Sequence, residues 1–235
     1  MRASVIVVSY NSRTDLEPCL NSVLAELGPN DELIVVDNDS TDGSADFVQT
    51  YYPQARLIRG PNTGYAGGNN RGAAVAVGEF LIFLNPDTVV LPGAITALLA
   101  PFEQEAQVAL TTACIVYMDQ PEKINTCGNT VHFTGLTYCR GANQLRTKFA
   151  TAAEVDAVSG AAFAIRRVVF EALGGFDEQF FMYCEDTDLS WRARGAGYRI
   201  ALDATEAQLL LAAPTKPKAH ANPPATMRQP QSITL

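Results

Sequence analysis

The sequence predicts an α/β fold with a mostly parallel central sheet. Three observations predict it: short runs that are apolar throughout recur along the first hundred residues, helix-like segments separate them, and polar residues follow where the runs stop. Strands buried on both faces are typical of parallel sheets, which have helices on each side. With 235 residues and 47% hydrophobic content, the chain can form one globular domain with a full core.

Strands and helices alternate over this first part of the chain. The apolar runs predict strands at residues 4–8, 32–38, 55–60 and 79–85. Helical spacing, cap residues or small residues predict helices at residues 12–27, 40–52, 68–78 and 92–105. This order is a Rossmann-like half, in which ligands bind at the carboxyl ends of the strands.

The later part of the chain is less regular. The pattern predicts a strand over 109–118, a loop or hairpin over 119–147, a strand over 161–167, a helix over 166–173 and a helix with an acidic first turn over 185–197. Five prolines fall within 214–235, where apolar periodicity is lacking. We therefore predict a globular domain over 1–205 and a divergent, Pro-rich disordered tail over 206–235.

Charge and cysteine content limit the function classes. A formal net charge of −8 and a pI of 4.8 make nucleic acid a poor partner. The five cysteines show no C-x-x-C spacing, so buried free thiols in a reducing cytosol are favoured over disulfides or zinc.

The N-terminus lacks signal-peptide features, and no run approaches the roughly 18 apolar residues of a membrane span. We expect a cytoplasmic protein, with peripheral contact at the inner face of the membrane left open.

Polar residues at the strand ends are the first candidates for chemistry. Asp37 ends the second strand, and Asn85 and Asp87 end the fourth. A carboxylate at such an edge suits Mg²⁺ or Mn²⁺, which takes one or two protein carboxylates and substrate phosphates. Taken alone, however, Asn-Pro-Asp is more typical of a turn with a capping residue than of a metal site. The Gly-rich segment 61–72 is neither a P-loop nor G-x-G-x-x-G, so its motif signal is weak.

A second candidate region combines carboxylates with aromatic residues over 174–192. Its acids include Glu185, Asp186 and Asp188, and its aromatics include Trp191. Aromatic surface covers the apolar faces of sugars, and one carboxylate can remove a hydroxyl proton. A helix start beside core aromatics explains the same residues, and the pattern alone does not separate these two interpretations.

The joint pattern is more specific than any one motif. The segments "VIVVSYNS", "ELIVVDNDSTDGS", "NTGYAGGNNRG", "FLNPDT", "SGAAFAIRR" and "GGFDEQFFMYCEDTDLSWRARGAGYRI" occur in this order. Together, over about residues 3–203, they closely resemble the family 2 glycosyltransferases, specifically the rhamnosyltransferase-like branch.

The resemblance implies a GT-A fold and an inverting transfer from a nucleotide-sugar donor to a glycan or lipid-linked acceptor, in polysaccharide biosynthesis for the cell envelope. It also implies the role of individual residues. Asp87 would bind Mg²⁺ or Mn²⁺, Asp186 would be the catalytic base and Glu185 would position the acceptor, with Trp191 and Asp188 nearby. The nucleotide-sugar would be held by Tyr10, Asn11, Asp37, Asn62, Gly64, Asn70 and Asn85.

One departure from the family pattern concerns a further metal ligand. Relatives have a histidine at about the position of Leu210, whereas here the nearest histidine is His220 in the Pro-rich tail, and His132 lies in the middle loop. The alternative hypothesis is therefore a catalytically impaired domain that binds nucleotide-sugar without transfer. A sugar nucleotidyltransferase is disfavoured, because the first strand lacks a Gly-rich basic loop after it.

Overall fold

The protein is described here from a computed structural model, which describes residues 2–202 and 209–211. The strands are β1 Ala3–Ser9, β2 Glu32–Asn38, β3 Arg56–Gly60, β4 Phe80–Leu84, β5 Thr88–Val90, β6 Val108–Thr112, β7 Cys114–Tyr117, β8 Ile124–Cys127, β9 Asn129–Val131, β10 Thr137–Cys139, β11 Ala153–Glu154, β12 Ala162–Arg166, β13 Arg199–Leu202 and β14 Leu209–Leu211. The helices are α1 Arg13–Glu26, α2 Ser44–Tyr51, α3 Gly64–Ala73, α4 Ala94–Gln104, α5 Arg167–Ala172 and α6 Glu185–Gly195, with a 3-10 turn at Arg146–Phe149.

Eight strands form the central sheet, in the order β11-β13-β6-β12-β4-β1-β2-β3. Strands β3, β2, β1 and β4 pair in parallel, which confirms the predicted Rossmann-like half. Strand β12 runs antiparallel between β4 and β6. Its first residue therefore lies at the edge where β4 and β6 end, and this reversal becomes important for the site.

Helices cover both faces of this sheet. Along β1, Val5 and Val7 point into one core with α1, α2 and α4, whereas Ile6 points into the other core with α3 and α6. The close approach of α3 requires glycine, because a Cβ on Gly72 would lie 2.5 Å from a methyl group of Ile6. The molecule is thus a three-layer α/β/α sandwich, as the fold class predicted.

Two secondary-structure predictions were wrong in detail. Helix α3 begins at Gly64, four residues before its predicted start, because a contact with a distant loop fixes its first turn. The strand predicted over 109–118 divides at Ala113 into β6 and β7, which belong to different sheets. The segment 119–147, predicted to be a loop or hairpin, contributes β8 and the hairpin β9–β10, which confirms the hairpin.

A second sheet has the order β5-β14-β7-β8. Its strand β14 falls within the segment 206–235 that was predicted to be a disordered tail. Three consecutive leucines pair there with β5 and with β7, so this apolar run continues the sheet. Residues 212–235 of the predicted tail lie outside the described residues.

Candidate active site

The carboxyl ends of β1 and β2 bring the first candidate residues together. Ser9 pairs with Asp37 in the parallel register. Asp37 is 4% exposed, and its Oδ2 accepts the Ser40 N–H at 3.1 Å. Its buried Oδ1 has no hydrogen-bond partner among the described residues. Because a buried acceptor without a partner is costly, this oxygen is a plausible contact for a donor group on a ligand.

The turn after β1 presents Tyr10 and Asn11 beside Asp37. Asn11 has a left-handed backbone, with φ of 51°, and its Oδ1 accepts the Thr41 N–H at 2.8 Å. The Asn11 N–H donates to Ser40 Oγ at 3.0 Å, so this residue fastens the two strand ends together. Tyr10 is 41% exposed, which leaves its ring available at the edge.

The loop before α3 is held by hydrogen bonds and by a close backbone contact. Asn62 Oδ1 accepts the Gly64 N–H at 3.0 Å, and Asn38 Nδ2 donates to the Gly64 carbonyl at 2.7 Å. Gly64 has φ of 72°, and a Cβ there would lie 1.9 Å from the Phe181 carbonyl oxygen. Only glycine fits this position.

Asn70, predicted to lie near the nucleotide, has its side-chain amide engaged with residues 176–178. Its Nδ2 donates to the Phe176 carbonyl at 2.9 Å and to Glu178 Oε1 at 3.0 Å, and its Oδ1 accepts the Phe176 N–H at 2.9 Å. This amide therefore joins α3 to the loop that leads into α6.

Asn85 and Asp87 form the turn between β4 and β5. The Asn85 carbonyl accepts the Thr88 N–H at 3.2 Å, and the Asn85 N–H donates to the Ala161 carbonyl at 3.0 Å. Asp87 is half-buried, with Oδ1 shielded from solvent. Burial, followed by the nearby negative charge of Asp87, raises the pKa of the Cys19 thiol to about 12. The negative charge of Asp87 therefore acts on groups around this turn.

This donor set fits a divalent cation that is held largely by its substrate. Hard cations prefer carboxylate oxygen, and Mg²⁺ often uses one or two protein carboxylates and completes its shell with phosphates and water. Asp87 supplies one such carboxylate. Within residues 2–202, no group of three or more His, Cys, Asp or Glu side chains could hold a metal ion alone.

The predicted catalytic base lies at the start of α6. Asp186 Oδ2 accepts the Gly160 N–H at 2.8 Å, and Oδ1 accepts the Thr187 N–H at 2.7 Å. Burial raises the pKa of Asp186, and these two N–H donors oppose the rise. The carboxylate is therefore oriented by main-chain groups and is more basic than an ordinary aspartate.

Glu185 is more strongly perturbed. It is 5% exposed, and its Oε2 has no hydrogen-bond partner among the described residues. Burial, with a smaller contribution from the charge of Asp186, raises the pKa of Glu185 to about 7. Immediately before it, Tyr183 and Cys184 both have left-handed backbones, at φ of 74° and 72°. Such strain concentrates at functional sites.

The sequence did not indicate Tyr65 or Gly160 as site residues. The Tyr65 hydroxyl donates to the Gly160 carbonyl at 2.5 Å, and the N–H of the same Gly160 donates to Asp186. Burial, and then the charges of Glu185 and Asp186, raise the pKa of Tyr65 well above its usual range. The signal that could have found Gly160 is its position just before an antiparallel strand.

Asp188 and Trp191, predicted on the acceptor side, have different surroundings. Asp188 Oδ2 accepts from Arg192 Nη2 at 2.6 Å in an i,i+4 ion pair, and Arg192 also donates to the carbonyls of Leu173 and Gly175. Arg192 therefore joins α6 to the residues after α5, and Asp188 holds the guanidinium in place from within α6. Trp191 is 46% exposed on the surface of α6, where a substrate could contact it.

The position expected to carry a further histidine is Leu210, on β14. His132 lies in the β9–β10 loop, is exposed, and contacts Thr134 Oγ1 at 2.8 Å. His220 lies outside the described residues. Within the described part of the chain, no histidine therefore joins Asp87.

Main-chain contacts join the two parts of the site. Asn85, two residues before Asp87, donates to the carbonyl of Ala161, and the adjacent Gly160 donates to Asp186. The turn after β4 and the start of β12 thus hold the two carboxylates at the same edge of the sheet.

Residues 4–174 match the sequence profile described as glycosyl transferase family 2. The chain belongs to this family. The N-acetylglucosaminyl-diphospho-decaprenol L-rhamnosyltransferase of Mycobacterium tuberculosis is 30% identical over 217 residues, which cover 83% of this chain and 71% of the relative. The O-antigen biosynthesis protein RfbC of Myxococcus xanthus is 28% identical over 85% of this chain and 16% of its own length.

Solved structures with the same fold are longer and more distant in sequence. GalNAc-T7 with UDP, GalNAc and Mn²⁺ superimposes with a TM-score of 0.72 at 16% identity, over 91% of this chain and 44% of that chain. The mannosyltransferase PcManGT of Pyrobaculum calidifontis, with GDP-Man and Mn²⁺, superimposes with a TM-score of 0.66 at 18% identity. The match covers 92% of this chain and 58% of that chain. TarS 1-349 of S. aureus with UDP-GlcNAc superimposes with a TM-score of 0.65 at 20% identity. The match covers 91% of this chain and 59% of that chain.

These comparisons confirm the predicted family, its rhamnosyltransferase-like branch, the GT-A fold and the enzyme class, a glycosyltransferase. The chain spans less than two thirds of each of these solved structures. Within residues 2–202 and 209–211, none of the helices has the length and apolarity needed to cross a membrane.

Proposed function

We propose that this glycosyltransferase moves a sugar, with rhamnose as the first candidate, from a nucleoside-diphosphate donor to a glycan or lipid-linked acceptor, with inversion at the anomeric carbon. The observation that carries the proposal is the contact path from the Asp87 turn through Ala161 and Gly160 to Asp186. In-line displacement needs a leaving group and a base on opposite sides of the sugar, and the proposal assigns the first side to Asp87 and the second to Asp186.

The donor half of the proposal assigns a contact to each strand end. The free Oδ1 of Asp37 would accept an N–H of the base, while Tyr10 and Asn11 would flank base and ribose, and Asn62 and Gly64 would shape the phosphate loop. Asp87 would hold Mg²⁺ or Mn²⁺, with Asn85 beside it. That cation would offset the charge that develops on the diphosphate leaving group.

The acceptor half rests on the buried pair at the start of α6. Asp186 would remove the proton of the acceptor hydroxyl from about 3 Å, the distance of a hydrogen bond. Glu185 would position the acceptor, and a carboxyl with a pKa of about 7 can donate a hydrogen bond at neutral pH when it is protonated. The lipid-linked acceptor class is suggested by the mycobacterial relative, whose name includes a diphospho-decaprenol.

Nucleotide binding with and without metal tests the proposal. We expect Mn²⁺ alone to bind weakly, since Asp87 is one carboxylate, and Mn²⁺ to strengthen nucleoside-diphosphate binding. Titration calorimetry over a panel of nucleotide-sugars, dTDP-rhamnose first, measures this coupling, and product formation measures donor turnover. In Asp87→Asn the coupling should fall by about 100-fold, whereas the surface variant Asp46→Asn should retain it.

Two outcomes would count against this function. A chain that binds no nucleotide-sugar with either metal would contradict the whole proposal. Metal-dependent binding without turnover of any donor would instead favour the impaired, nucleotide-sugar-binding domain.

A further inference from the structure

The hairpin β9–β10 carries an unusually exposed apolar surface. Phe133 is 90% exposed, Leu136 59% and Tyr138 56%. Large exposed apolar side chains that occur together mark contact surfaces more often than isolated ones do. Aromatic side chains with a polar end, such as tyrosine and tryptophan, are also typical of the boundary between membrane and water.

This hairpin packs on the helix that carries the proposed base. Thr137 Oγ1 lies 3.3 Å from Thr187 Oγ1, and the Thr187 N–H donates to Asp186 Oδ1. At the hairpin tip, a Cβ on Gly135 would lie 3.7 Å from the Trp191 ring. The apolar tip and the half-exposed Trp191 therefore lie beside each other. Two contacts, Thr137 with Thr187 and Thr187 with Asp186, connect the hairpin to the proposed base.

Charge is segregated around the same surface. Residues 129–153 contain three basic residues and no Asp or Glu, which leaves 14 basic and 25 acidic residues for the rest of the chain. The turn Arg146–Phe149 packs on the base of the hairpin, where the Arg140 guanidinium lies 4.9 Å from the Phe149 ring. Lys148 on this turn is exposed.

The acids that border this region include the exposed Glu122, whose carbonyl accepts the Arg146 N–H at 2.9 Å, and Asp156, which is engaged. Its Oδ2 accepts the Val131 N–H at 3.2 Å, and its Oδ1 pairs with Arg194 at 3.2 Å. An acidic protein thus presents one locally basic and apolar region next to its acceptor side. Apolar side chains flanked by cations are the combination that binds anionic lipid surfaces.

We propose that this hairpin surface docks on an anionic phospholipid bilayer and so brings a lipid-linked acceptor to Asp186. The surface is formed by Phe133, Leu136, Tyr138, Trp191 and Lys148, with the charges of Arg140 and Arg146 at its base. Docking follows from the exposed surface itself, whereas delivery of an acceptor rests on the proposed function. A bilayer accounts for both features, because the apolar tip enters the interface while the cations meet lipid phosphates.

Vesicle co-sedimentation tests the docking. The chain should sediment with phosphatidylcholine vesicles that contain phosphatidylglycerol, bind pure phosphatidylcholine much less, and lose binding as salt is raised. Phe133→Ser with Leu136→Ser should lower binding about tenfold, and Lys148→Glu should lower it less. The matched controls are Val168→Ser, at an apolar position 66% exposed on α5, and Arg2→Glu, at an exposed cation elsewhere.

The proposal is wrong if the chain does not bind the anionic vesicles, or if the double variant binds them as well as the original chain does. It is also wrong if size-exclusion chromatography finds a dimer that the double variant dissociates, because a second copy then covers the surface. Titration of the same variants with nucleotide and Mn²⁺ keeps the two proposals separate. Docking without nucleotide binding contradicts the proposed function alone, and nucleotide binding without docking contradicts this inference alone.

Discussion

The donor edge and the acceptor side of the site are built in different ways. At the donor edge, parallel strands pair in register. Asp37 lies near the end of β2 and Asp87 lies three residues after β4, so each is positioned by a strand that is close to it in sequence. On the acceptor side, Asp186 is oriented by Gly160, 26 residues away, and Gly160 is held by Tyr65, 95 residues away from it. The first region depends on regular secondary structure, and the second on long-range contacts between buried groups.

The largest effect is expected from a substitution that impairs the acceptor side alone. Asp186→Asn removes the proposed base but keeps an oxygen that can accept the Gly160 N–H, so turnover should fall by about 10² to 10⁴ while donor affinity stays close to its original value. Single-turnover kinetics and donor titration measure the two quantities. Glu171→Gln, at an exposed ion pair on α5, is the control. Equal losses of transfer and donor binding would show that the two regions are not separable in this way.

A second prediction uses stability to test how deeply the acceptor side is buried. The pKa of Glu185 is about 7 in the folded protein, against an ordinary value of 4.5, so its contribution to stability is lost as pH rises through this interval. Glutamine carries no charge, and Glu185→Gln should therefore stabilise the fold at pH 8 by about 2 to 3 kcal/mol, with little effect at pH 4.

Urea unfolding of Glu185→Gln at the two pH values measures this difference, with Glu171→Gln as the exposed control. A gain that does not depend on pH would contradict the raised pKa. Because Glu185 is proposed to position the acceptor, the same variant should lose activity while it gains stability, as is common when active-site strain or burial is relieved.

The smallest effect is expected from loss of the long-range contact between Tyr65 and Gly160. Tyr65→Phe removes the hydroxyl that holds Gly160, and the Gly160 N–H is a group that lowers the pKa of Asp186. Without this hydroxyl, the Gly160 N–H should bind Asp186 less well, and the pKa of Asp186 should rise. Turnover should fall about tenfold with an unchanged KM for the donor, and the acidic limb of the pH–rate profile should move to higher pH. A loss of rate without movement of the limb would mean that Tyr65 acts only through packing.

The same contrast explains what the sequence could predict. The four parallel strands and the residues at their ends were predicted because apolar runs and the polar residues after them are local features. The division of 109–118 at Ala113 was missed, since both parts are apolar and buried. The early start of α3 was missed because the Phe181 carbonyl, far along the chain, determines it. Tyr65 and Gly160 were missed for the same reason.

The reversed strand β12 has a consequence for how acceptor preference can change. The chain leaves β6 at Thr112 and enters the neighbouring β12 at Ala162, and the Ala113 N–H donates to the Ala162 carbonyl at 3.2 Å. The intervening 113–161, which also contributes β11 to the main sheet, therefore begins and ends at neighbouring points. That segment holds the hairpin and Gly160, whereas the donor-side strands lie outside it. Because the proposed function places the acceptor on this side, we expect that exchange of 113–161 between related enzymes changes the acceptor preference and leaves the donor preference unchanged.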